Sequence, residues 1–225
     1  QGEEGAGLCQ TEQKLPFTKT LELPSFGATA WTACVEGQTE YLNCRAVNSR
    51  RIEVRGAYGL VVSVHAQLST EVITALSEGG IEQKLTTLGG VRRAATLEKL
   101  VTIEGALTFP KPPAAILDIT GTAEVRELKR MQGKAVAKGT LRALCAWRAE
   151  GDAALLSQTA ELPFHQIVDV EGLSEDCQCL CTLAPVGFAA AEGETAEDGS
   201  ASTTLTATAL LRLSGWRPYQ LQCVA

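Results

Sequence analysis

From Arg51 to Ala66 the chain alternates apolar and polar residues: Ile52, Val54, Tyr58, Leu60, Val62 and Val64 interleave with Arg51, Glu53, Arg55, Ser63 and His65. A period of two sends one set to each face of an extended backbone, so the stretch predicts a long, half-buried antiparallel strand. An earlier extended run passes through Tyr41 and Leu42, and Asn48 and Ser49 lie between the two. Asn and Ser favour turn geometry, which predicts a hairpin turning within Val47 to Arg50. A further period-two run covers Leu117 to Val125. After Gln132 and Gly133 it resumes as Ala135, Ala137, Gly139, Leu141, Ala143, Cys145 and Trp147, alternating with Lys134, Lys138 and Arg142. This reads as a second hairpin. Near the C-terminus Leu205, Ala207, Ala209, Leu211 and Leu213 occupy one face of a strand, with Thr204, Thr206, Thr208, Arg212 and Ser214 on the other. Helical periodicity is weak, its best stretch being Ser69 to Leu76, which is short, rich in β-branched residues and stopped by Gly79 and Gly80. The predicted fold class is all-β and antiparallel.

An internal repeat organises these strands. Leu15-Pro16-Phe17, Leu21 and Leu23 recur at one constant offset as Leu162-Pro163-Phe164, Val168 and Val170, and the same offset places Cys34 on Cys181. Beyond that point the second copy carries a longer acidic loop, Glu192 to Gly199, and Leu205 takes the place of Ile52. Two copies of one β unit predict two tandem antiparallel β-sandwich-like domains, residues 1–92 and 93–225. The first copy is expected to lack its leading strands. The stretch from Gly79 to Pro113, with Gly89-Gly90, Pro110, Pro112 and Pro113, reads as a semi-rigid junction of turn and strand-edge residues.

Composition narrows the choice of partner. The 45% hydrophobic content suits a chain that buries ordinary cores. With 26 acidic against 20 basic residues and no run of Lys and Arg, the chain lacks the footprint that nucleic acid or an anionic membrane surface selects for. Neither is expected as a partner. No apolar stretch approaches the roughly 20 residues of a membrane-spanning helix. Gln1 to Gly7 is polar and acidic, so no signal peptide is expected there.

The candidate chemistry is sparse. Cys177, Cys179 and Cys181, at alternate positions of a predicted strand, would leave one face of a sheet, as core thiols, a cross-linking patch or a soft-metal site. Zinc sites draw C-x-x-C pairs from two loops, and these cysteines have no such partner pair, so no metal is expected. Cys34 joins them through the repeat. Cys9, Cys44, Cys145 and Cys223 carry no readable connectivity. His65 and His165 sit in no Ser, Cys or metal motif, and Gly133-Lys134 lacks the remainder of a phosphate-binding loop. The chain is therefore expected to be non-enzymatic and without cofactor. Arg50, Arg51, Glu53 and Arg55 form a charged strand face, read either as a solvated surface or as an interaction ridge.

Several segments carry a family resemblance. Glu40-Tyr41-Leu42, the run Val47 to Val54, the Leu-Pro-Phe entries, Phe164 to Gly172, Ile116 to Val125 and Gly133 to Trp147 together resemble the SPOCS domain family of SipL-like clostridial spore-envelope proteins. The resemblance spans most of the chain and rests on pattern, not on one catalytic motif. It implies tandem β modules that act as a non-enzymatic protein-binding scaffold in spore coat assembly. It also implies residence in the mother-cell cytoplasm and spore envelope, beside a SpoIVA-like coat ATPase. The competing expectation is a structural polymer, a filament or coat layer, in which strand complementation joins copies and strand-displayed cysteines lock them.

Overall fold

The computed structural model describes residues 13–225 except 26, 29, 78, 153, 192 and 198, so Cys9 lies outside the described residues. Every regular element described is a β-strand. The all-β, antiparallel reading therefore stands, and the weak helical pattern at Ser69 to Leu76 forms no helix. The chain separates into two compact units. Unit 1 comprises Gln1–Lys84 with Cys223–Ala225, and unit 2 comprises Leu85–Gln222.

Unit 1 is built on one hairpin, β1 (Ala30–Asn48) and β2 (Arg51–Gln67). Its turn falls at Ser49 and Arg50, inside the predicted span, and the Asn48 side chain accepts a hydrogen bond from the Arg50 N–H at 2.9 Å. That side-chain bond is the reason Asn and Ser mark the turn. The strands pair from Ala30 opposite Gln67 to Asn48 opposite Arg51, with irregularities at Glu40 and Val47, and no third strand joins them among the described residues. The last residues of the chain return to this unit. The Val224 N–H donates to Ile73 O at 2.8 Å and the Ala225 N–H donates to Lys84 O at 2.9 Å.

Unit 2 is a β-sandwich. One sheet contains β3 (Leu85–Phe109), β7 (Gln178–Ala190), the short β8 (Glu194–Thr195) and β9 (Ala201–Val224), ordered β3-β9-β7 with β8 also paired to β9. The other contains β4 (Pro113–Met131), β5 (Lys134–Ala149) and β6 (Leu156–Asp169) in sequence order. The predicted Gln132-Gly133 turn joins β4 to β5, with Gly133 in the left-handed region at φ 71°. The sheets meet along both margins, β3 beside β6 and β4 beside β7. The Gln166 side-chain amide donates to Thr102 O at 3.3 Å across the first of these margins.

Alternate residues of each strand point between the sheets, as the pleat requires. Leu107 and Phe109 of β3, Leu141, Cys145 and Trp147 of β5, Leu162 and Phe164 of β6, and Leu205, Leu211 and Leu213 of β9 form the core. The Phe109 and Trp147 rings meet edge to face at 4.9 Å. Gly139 allows close packing there, because a Cβ would strike the Glu124 carbonyl of β4 and the Phe164 ring.

The junction expected between Gly79 and Pro113 is corrected by this structure. Residues from Leu85 form β3, a full strand of unit 2, and the division falls at Leu85 instead of at residue 93. Gly89 and Gly90 both lie in this strand, and at Gly90 the Tyr219 ring of β9 fills the space a side chain would need. The repeat is also unequal in outcome. Leu162, Phe164, Val168 and Val170 are buried, the first three within β6, whereas Leu15, Phe17, Leu21 and Leu23 lie exposed in a segment outside any strand. In β6 those residues pair against β5, and unit 1 has no described strand in that role.

Candidate functional site

The register of β1 and β2 sorts their side chains into two unlike faces. On one, Trp31 faces Ala66, Ala33 faces Val64, Val35 faces Val62, Gly37 faces Leu60 and Thr39 faces Tyr58. The irregularity at Glu40 shifts the pairing, and Leu42 with Gly56, Cys44 with Val54 and Ala46 with Ile52 continue the same face. Eight successive cross-strand pairs thus contain no charged residue. Most combine one large with one small side chain, which keeps the surface even in height. Phe17 meets Tyr58 edge to face at 6.1 Å, so the preceding segment touches this face there.

This surface is open. Ile52 is 72% exposed, Leu42 66%, Trp31 61% and Tyr58 56%. Contiguous apolar exposure of this kind marks interaction surfaces in folded proteins, since isolated hairpins are marginal in water and gain stability only when a face is covered.

The opposite face is mainly polar, with Tyr41 and Val61 as its exposed apolar members. Thr32 with His65, Cys34 with Ser63, Asn43 with Arg55 and Arg45 with Glu53 lie there. Of the predicted ridge, Arg51, Glu53 and Arg55 share this face and Arg50 stands in the turn. Glu53 is clasped between Arg45 Nη2 at 3.0 Å and Arg55 Nη2 at 2.7 Å. Exposed pairs of this type contribute at most about 1 kcal/mol and are screened by salt, so the ridge has the charge pattern of a solvated surface.

The cysteines separate. Cys177 precedes β7 instead of lying in it, which corrects the expectation of three thiols on one strand face. It is buried beside the Ser174 hydroxyl, 3.3 Å away. Burial raises its pKa, but the Ser174 side-chain and backbone hydrogen bonds and the Arg217 charge outweigh that and hold the thiol below its ordinary range. Cys179 and Cys181 do lie in β7 and pack against the core. Burial, with the neighbouring Cys179 sulfur, pushes Cys181 up to about 11. All seven described cysteines are free thiols. Cys34 departs from its repeat counterpart, because it pairs with Ser63 on the polar face while Cys181 pairs with Leu213 against the core. With Ile52 matched to Leu205, Leu213 takes the place of Leu60, whose partner is Gly37, so Cys34 stands three residues out of register with Cys181, and an odd slip reverses the face a side chain takes.

His65 and His165 are both exposed, on β2 and β6. Among the described residues no three His, Cys, Asp or Glu side chains gather in a metal-binding arrangement. Sequence reasoning missed the role of Trp31, Leu42, Cys44 and Val35. The signal lay in the pairing of two strands, and the irregularity at Glu40 breaks simple alternation along β1.

No family model, curated protein or solved structure matches the chain.

Proposed function

We propose that the chain is a non-enzymatic protein-binding scaffold and that the β1–β2 hairpin is its docking element. The uncharged, exposed face running from the Trp31–Ala66 pair to the Ala46–Ile52 end of the register carries this reading. Fully burying a large apolar side chain contributes about 1.5–3 kcal/mol, and Trp31, Leu42, Ile52, Val54 and Tyr58 keep over half of their surface exposed, so together they offer a gross gain of about 5–9 kcal/mol. Association costs about 4–15 kcal/mol. The face therefore supports specific binding when a partner also supplies backbone hydrogen bonds or fills the surface closely.

The setting, a spore coat or envelope assembled around a SpoIVA-like ATPase from the mother-cell side, comes from the SPOCS resemblance alone. Binding of the full chain to a purified SpoIVA-type coat ATPase, measured by interferometry, tests it. Binding is expected, and the double substitution Val54→Lys, Tyr58→Lys is expected to abolish it. Absence of binding, or binding indifferent to those substitutions, overturns the reading. A second reading, the self-assembling filament or coat layer, is favoured by the two-stranded sheet ending at β2 and by the exposed Cys44. Light scattering across a concentration series, with and without reductant, separates them: large reductant-sensitive assemblies support the polymer and discrete small species support the scaffold.

A further inference from the structure

Unit 2 shows what covers a hairpin of this pattern. In the repeat, Ile52, Val54, Gly56, Tyr58 and Leu60 of β2 take the places of Leu205, Ala207, Ala209, Leu211 and Leu213 of β9. The five residues of β9 are at most 1% exposed. Two neighbours produce that burial. The β4-β5-β6 sheet faces β9 across the core, and β3 pairs along the edge of β9 away from β7. Strand β3 runs antiparallel to β9: Glu98 meets Arg212 at 3.0 Å, Ala95 lies beside Gly215 and Gly90 beside Tyr219. It contributes Ala95, Val101, Ile103, Leu107 and Phe109 to the interior at alternate positions, while Glu98 and Glu104 face outward and Lys99, at a position of the inward set, is exposed.

Strand β2 has β1 on one side, in the place of β7, and among the described residues no strand in the place of β3. Its edge from Arg51 to Ala66 carries the same kind of backbone ladder that β9 completes with β3. The apolar face beside it has no charge to reject an apolar strand.

We infer that the edge of β2 from Arg51 to Ala66 is a strand-acceptor site, and that its occupant is an extended polypeptide strand of the β3 pattern, running antiparallel to β2. Such a strand alternates apolar and polar residues, lays its apolar side chains over the uncharged face and adds the backbone hydrogen bonds that the face alone lacks. The inference rests on the docking role proposed above and specifies the partner's chemistry.

The probe is a synthetic peptide with the sequence of Ala95–Phe109, added to the full chain. In a parallel arm the same segment is joined to the amino end of the chain by a flexible Gly/Ser linker, which raises its effective concentration into roughly the millimolar range. Hydrogen exchange of individual peptides is read by mass spectrometry. Exchange of the Arg51–Ala66 amides is expected to slow by about tenfold or more, most strongly in the linked form. A probe carrying Val101→Lys and Leu107→Lys is expected to have no effect. Unchanged exchange in the linked form overturns the inference, as does equal protection by the doubly charged probe. Loss of protection in native β3 also overturns it, because the probe has then displaced that strand. Slowing that grows with protein concentration and needs no probe overturns it in favour of a second copy as occupant. If the probe fails while ATPase binding still depends on Val54 and Tyr58, the strand-acceptor inference falls and the scaffold reading stands. If the probe succeeds while the ATPase does not bind, the acceptor site stands and the spore-coat partner falls.

Discussion

Strand β9 buries Leu205, Ala207, Ala209, Leu211 and Leu213, while β2 exposes Ile52, Val54 and Tyr58 at matched places of the same repeat. Local sequence does not explain the contrast, for both stretches alternate and both pair antiparallel with the preceding strand of their hairpin. What differs is the neighbourhood. Strand β9 has a strand on each side and a second sheet across the core, whereas β2 belongs to a two-stranded sheet. Alternation therefore specifies which face is apolar, and the supply of covering strands decides whether that face is buried.

The largest effect should separate two truncations. Leu211→Ala is expected to cost unit 2 about 2–5 kcal/mol in urea unfolding, through lost transfer energy and a cavity. The matched Tyr58→Ala in unit 1 is expected to change stability by no more than about 0.5 kcal/mol. Equal costs would break the comparison and mean that the hairpin face is already covered.

Next comes a pair of glycines. Gly139→Ala forces a methyl against the Glu124 carbonyl and is expected to destabilise unit 2 by about 1–3 kcal/mol or more. Gly79→Ala meets open space and is expected to be neutral or slightly stabilising. Thermal melts of the two variants check both.

A smaller effect follows from the core thiols of unit 2. Burial raises Cys181 from 9.0 to about 11, and burial, as the first cause, also raises Cys145 and Cys179. A raised thiol pKa means that the folded state favours the protonated form. That contribution is complete below the ordinary value and is lost as pH rises from about 9 to about 11. Urea midpoints are expected to fall over that window, and Cys181→Ala should flatten the decline. In native protein at neutral pH, maleimide should label exposed Cys44 well before buried Cys145.

The smallest change is expected from Glu53→Gln. It removes the pairs to Arg45 and Arg55, and a double-mutant cycle should return less than about 1 kcal/mol, falling further with added salt. A larger coupling would turn the charged face into a rival docking surface.

Much of the strand content was legible because its signals are local. The Asn48-Ser49 turn, the Gln132-Gly133 turn and the Leu205–Leu213 face all follow from side-chain period and turn chemistry. Strand β3 was not legible. Its glycines look like turn residues, and the demand for Gly90 comes from Tyr219, far along the chain. The different fates of Leu15-Pro16-Phe17 and Leu162-Pro163-Phe164 were equally hidden. Identical letters become a strand only where β5 is present to pair with them. The docking face could be half read from β2, but its continuation through Leu42 and Cys44 depends on the irregularity at Glu40.

The bonds from Val224 to Ile73 and from Ala225 to Lys84 bear on how the protein is made. A ribosome releases the hairpin of unit 1 first, yet the residues that finish that unit's backbone bonding are translated only after all of unit 2. At about 5–20 residues per second the wait lasts on the order of ten seconds. Because β9 runs from Ala201 to Val224, the same late stretch of chain supplies the middle strand of a unit 2 sheet and the residues that bond to unit 1, so neither unit has its full set of strand bonds until that stretch emerges.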